Sequence, residues 1–161
     1  MSLKNIHKIS KAKNAEIFVE ILDDIIIQQK IGSHIKVDGS RLNRGSDVYH
    51  THLDNHPPSA RDYLTGLMCK ALYDTHISGV IGQSKIFRYD YKEFLLNKFD
   101  KMFLYDDDSQ SSEEETVSNK WFDHLRNRII NINKNYVKTG NDSIYIRKLA
   151  RLGIIMSIEP I

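Results

Sequence analysis

The stretch VYHTHLDNHPPSARD, from Val48 to Asp62, constrains the chain more tightly than any other. Pro57 and Pro58 fix their own φ and lack a backbone N–H, so no regular helix runs through them. Ser59 follows as an N-cap, which predicts a helix from about Ala60 to Tyr73. Upstream, Val48 to His52 reads as a short buried strand. Strand, stiff loop and helix therefore succeed one another within this segment. Side chains alternate along a strand, so His50 and His52 share a face and can grip one metal ion. Asp62, on the first turn of the helix, is placed to bring a carboxylate back toward that face as a third ligand. Two imidazoles and one carboxylate leave a fourth tetrahedral position open for water.

Cys69 is the single cysteine, which excludes an intramolecular disulfide and a multi-cysteine zinc site. A metal must be held by His, Asp or Glu, and Cys69 itself, beside Met68, reads as a small hydrophobe within the helix. The 23 basic and 21 acidic residues leave a formal charge of +2. That balance is far from the basic excess of a protein that neutralises many phosphates, so no nucleic-acid partner is expected, Arg41, Arg44, Arg126 and Arg128 notwithstanding. No run of about 18 apolar residues occurs, and MSLKNIHKISKAKNAE has no apolar core of a leader, so neither a membrane span nor export is expected. The expected setting is reducing and cytoplasmic.

Around the central segment, EIFVEILDDIIIQQK (Glu16 to Lys30) reads as two strands turning at Asp23-Asp24, with a helix through Leu22 as the alternative. Gly32 to Asp47 reads as a polar surface connection. Leu64, Leu67, Met68, Ala71 and Leu72 give the helix after Ser59 its apolar face. His76 to Gly82 and Lys85 to Tyr91 form a hairpin about Gln83-Ser84. Helical spacing then runs from Lys92 to Tyr105 through Phe94, Leu95, Phe99 and Phe103. The acidic stretch 106–115 reads as an exposed, mobile loop. A second helix is predicted from Val117 to Tyr136 through Trp121, Phe122, Leu125, Ile129 and Ile132, and a last one from Ser143 to Gly153. The terminal IIMSIEPI suits an edge strand. The expected architecture is one domain over 1–161, α/β of the α+β type: a mixed sheet flanked by helices, with a further helical part over 92–161.

His50-Thr51-His52, followed by Pro58-Ser59-Ala60-Arg61-Asp62, resembles the JAMM motif of the JAB/MPN metallopeptidases. There an upstream Glu is joined to His-x-His-Pro and then Ser-x-x-Asp. Leu53 stands where the family usually has proline, and the stretch between His52 and Asp62 is one residue shorter than usual. The resemblance covers Ala15 to Tyr91 and implies a JAB/MPN-like fold for that core. It implies a Zn2+ ion held by His50, His52 and Asp62, Ser59 holding the tetrahedral intermediate, and an upstream Glu as general base. Glu16, at the strand entrance, is preferred, with Glu20 in reserve; four apart on a strand, the two share a face, so alternation does not choose.

The implied reaction is hydrolysis of an amide or isopeptide bond in a protein or peptide, in the manner of a deubiquitinase-like isopeptidase. A ubiquitin-like C-terminal tail is the first substrate class to test. The alternative is a non-catalytic MPN-type scaffold that binds partners. Ser59 and Asp62 also form a capping box that needs no catalysis, and His56 reads as a bystander at the loop tip.

Overall fold

The computed structural model describes residues 2–32, 42–104 and 112–161. Along the chain run α1 (Leu3–Lys13), β1 (Ile17–Leu22), β2 (Ile25–Ile31), β3 (Asp47–Thr51), α2 (Ala60–Tyr73), β4 (Ser78–Ile81), β5 (Lys85–Tyr91), α3 (Glu93–Leu104), α4 (Ser112–Thr139), α5 (Asp142–Leu152) and β6 (Ile154–Pro160). Among the described residues these make an α/β fold, a six-stranded mixed sheet of order β2-β1-β3-β4-β5-β6 flanked by five helices. β3 and β4 are parallel, and the other four neighbouring pairs are antiparallel. A parallel pair needs a crossover, and α2 supplies it. The chain therefore leaves the end of β3, rounds the two prolines and returns along α2, which opens a cleft at that end of the strand.

Strand alternation sorts the core into two layers. Ile17, Val19, Tyr49, Ile81 and Ile86 face α1 and pack with its Ile6. Val80, Phe87, Tyr89 and Tyr91 face the opposite way, into a larger cluster with Tyr63 and Leu67 of α2, Ile129 of α4 and Leu149 of α5. Each such buried side chain stabilises the fold by about 1.5–3 kcal/mol. β6 lies at the sheet edge beside β5, as the terminal apolar run suggested. The C-terminal part thus shares a core with the rest and adds a strand to its sheet.

Asp23 and Asp24 take φ of +50° and +62°, the left-handed pair that a two-residue hairpin turn requires, so the segment after Glu16 is a hairpin and not a helix. Four expectations are corrected. α1 was not foreseen, although Ser2 caps its start and Asn14, at φ +48°, closes its end. Met68 and Leu72, expected on the apolar face of α2, are exposed; the buried side runs through Tyr63, Gly66 and Leu67. Phe94 is likewise exposed, whereas Leu95 and Phe99 are buried. Of the acidic stretch, 112–115 belongs to α4 and not to a loop; 105–111 lies outside the described residues. So do 33–41 of the connection before β3. No described helix is long and apolar enough to cross a membrane.

Candidate metal centre

His50 ends up on the α2 side of β3, and His52 follows one residue past the strand, its N–H still paired to the Ile81 carbonyl at 3.0 Å. Asp62 sits in the first turn of α2, fixed by a reciprocal capping box. Its N–H donates to Ser59 Oγ (3.1 Å), and its Oδ2 accepts from the Ser59 N–H (2.8 Å). The structure therefore brings together the three residues the motif singled out. His50 Nε2 lies 3.2 Å from His52 Nε2, Asp62 Oδ1 lies 3.3 Å from His50 Nε2, and Asp62 Oδ2 lies 3.3 Å from His52 Nε2. Among the described residues this is the one cluster of three His, Cys, Asp or Glu side chains able to share an ion.

The spacing supplies a fit test. An ion held tetrahedrally at about 2.0–2.1 Å sets its ligand atoms roughly 3.3–3.4 Å apart. The triad already stands at that spacing, and its N,N,O donor set suits zinc. The His52 tautomer is set as well. Its Nδ1–H donates to the His56 carbonyl at 3.0 Å, since a carbonyl can only accept, which leaves the neutral ring's Nε2 lone pair facing the triad. His56 thus serves through its backbone; its side chain is exposed and pairs with Asp54 at 2.6 Å.

Comparison with protein-family models, curated proteins and solved structures gives no match.

The electrostatics of the triad couple the Asp62 carboxylate to the His52 ring. Burial opposes ionisation of Asp62, but hydrogen bonds from His50 and His52, their charge and the Ser59 N–H hold its carboxyl well below the usual carboxylate range. Burial likewise opposes protonation of His52, and is outweighed by its bonds to Asp62 and the His56 carbonyl and by the charges of Asp62 and Glu16, so its pKa is raised. A site that holds a proton here can exchange it for a cation.

Register places the two glutamates at different ends of β3. Phe18 pairs with His50, so the next positions on that face are Glu16 and His52, and Glu16 lines the same cavity as the triad. Glu20 pairs with Val48 toward the other end of β3. It is buried, accepting from the Asn43 N–H (2.6 Å), Asn43 Nδ2 (3.3 Å) and Gln28 Nε2 (3.2 Å), and so anchors the Asn43 backbone. Ser59 also lines the cavity; its Oγ accepts from Asp62 and keeps its own O–H to donate.

Behind the sheet lies a polar network that sequence reading missed. His7 Nε2 of α1 donates to the His52 carbonyl (3.0 Å), and Ser10 Oγ meets Thr51 Oγ1 (2.7 Å) and donates to the Ala15 carbonyl (2.5 Å). Thr51 Oγ1 accepts from the Ile17 N–H at 2.8 Å. These bonds tie the strand ends that carry Glu16 and His52 to one helix. On the other side, Asn133 of α4 donates to the Pro58 carbonyl (2.8 Å) and accepts from Tyr145 of α5 (2.7 Å), whose hydroxyl also meets that of Tyr63 (2.5 Å). The only signal of either network in the sequence was polar residues within otherwise apolar helix faces.

Proposed function

We propose that this protein is a zinc-dependent hydrolase of JAMM type that cleaves an amide or isopeptide bond. The observation that carries the reading is the triangle of His50 Nε2, His52 Nε2 and Asp62 at 3.2–3.3 Å edges, beside a cavity that Glu16 and Ser59 also line. When bound, zinc supplies Lewis acidity that brings the pKa of water from 15.7 to about 7 and polarises a carbonyl.

The chain's own residues do the rest. His50, His52 and Asp62 hold the ion, with His52 oriented by the His56 carbonyl and Asp62 by Ser59. Glu16 takes a proton from the attacking water and delivers it to the leaving amine as the C–N bond breaks. The Ser59 hydroxyl donates to the oxygen that gains charge when the water oxygen bonds to the carbonyl carbon. A protein or peptide substrate with a ubiquitin-like C-terminal tail is the class the resemblance favours.

A non-catalytic MPN-type scaffold is the second reading, favoured by the closed capping box, which gives Ser59 and Asp62 a structural role without chemistry. Incubating the zinc-loaded protein with a ubiquitin-like fusion separates the two. We expect cleavage that is lost in Glu16→Gln with zinc retained. Zinc retained with no cleavage of tail fusions or of unstructured peptides would favour the scaffold.

A further inference from the structure

We propose that the seam between α2 and the sheet, leading inward from the triad, is a subsite for an uncharged side chain of the substrate close to, but not directly flanking, the bond that is cut. The word substrate rests on the hydrolase reading; the binding site does not. The cavity, its mouth at the triad included, measures about 240 Å³, below the usual range for a whole small ligand and enough for one side chain. Its exposed mouth carries Glu16, Ser59 and Arg61 next to the triad. α2 lines one wall with residues from Asp62 to Cys69, a stretch of roughly 10 Å along the helix axis at 1.5 Å per residue.

Beyond the mouth the lining changes character. Phe18, Val48, Cys69, Ser78 and Tyr89 are each buried, and with Thr65 they form the inner wall. None is charged: burial pushes the Cys69 thiol up to about 11 and the Tyr89 phenol well above its ordinary value, so both stay neutral. Among the described residues this inner wall offers a charged side chain no counter-charge for the water it loses, which disfavours it relative to an uncharged one. A glycine would leave the apolar wall unused. Among the described residues, the hydroxyls of Thr65 and Ser78 make no hydrogen bond to protein, which leaves two groups free to meet a hydroxyl on the entering side chain. Aliphatic or hydroxyl-bearing side chains of leucine or threonine size satisfy both the wall and these groups.

Titration of the full-length zinc-free protein with N-acetyl amides of leucine, threonine, glycine, aspartate and lysine, followed by amide NMR, tests the site directly. We expect the leucine and threonine amides to shift Thr65, Cys69 and Ser78 and to bind about tenfold or more tightly than the other three. Thr65→Phe, which fills the seam, should erase that preference, and Ser78→Ala should weaken threonine while sparing leucine. Glycine binding as tightly as leucine, a preference for either charged amide, or shifts confined to other residues would overturn the proposal. In the zinc-loaded protein the same order should appear in kcat/KM for peptides varied at one position. An active enzyme with no such order would sink the subsite alone, and amide selectivity in a protein that takes up no zinc would sink the hydrolase reading alone.

Discussion

His52 illustrates how much one residue's surroundings decide. Because its pKa is raised and that of Asp62 depressed, the sign of the pH dependence differs between the two states of the site. In the zinc-free protein the pair's stabilisation is fully present between the unfolded pKa values, about 3.9 for Asp and 6.5 for His. It is lost as pH falls through the lowered pKa of Asp62 and as pH rises through the raised pKa of His52. Zinc needs the deprotonated ring, so its affinity should weaken about tenfold per pH unit below the raised His52 pKa, a trend that competition with a chelator will read. Ser59→Ala should lower turnover by about 10²–10³ through the lost oxyanion donor, and stability by about 0.5–2 kcal/mol through the lost cap. Zinc should stay bound in that variant, because both His ligands keep their partners; loss of zinc would mean the cap, not the hydroxyl's donation, was the residue's role. Both effects arise from residues whose types and spacing the sequence displayed. What it hid was the choice between Glu16 and Glu20, which depends on cross-strand register: Phe18 against His50 sets one glutamate at the cavity and buries the other against Asn43.

At the scale of elements, the site is the meeting of a strand end, a proline loop and a helix start, and these were legible because each is local. Pro57, Pro58 and Ser59 announce where α2 begins whatever else the chain does. The supports of the site were not legible, because they are long-range: Ser10 reaches Thr51, and Asn133 reaches Pro58. α1 escaped notice since its buried side sets His7 and Ser10 beside Ile6, which interrupts the apolar stripe. Met68 and Leu72 misled for the opposite reason, being apolar yet turned to solvent where the buried arc of α2 is shared by Tyr63, Gly66 and Leu67. Thr51→Val should orphan the Ile17 N–H and leave Ser10 Oγ only its bond to the Ala15 carbonyl, costing about 1–3 kcal/mol in chemical denaturation and exposing Ile17 to amide exchange. Thr51→Ser should restore both, and an unchanged exchange rate in the valine variant would show that α1 does not hold the β1 start through this bond.

Across the whole molecule, one sheet carries two cores of unequal size, and the triad sits where the crossover helix leaves the sheet. The expected mixed sheet with flanking helices is what the chain forms, since alternating strands such as Lys85–Tyr91 and a capped helix such as Asp142–Leu152 each follow from their own residues. Their order in the sheet does not, because pairing β5 with β6 spans the helices between them. Sharing of the larger core between α2 and the C-terminal helices means that zinc binding at the start of α2 should raise the thermal midpoint of the whole chain in one transition. The most direct measurement is the metal content and X-ray absorption spectrum of the purified protein. We expect one zinc per chain with two imidazoles and a carboxylate oxygen at about 2.0–2.1 Å, and no zinc in either His52→Ala or Asp62→Ala. Zinc that survives both substitutions, or a native protein that takes up none, would contradict a metal centre at His50, His52 and Asp62.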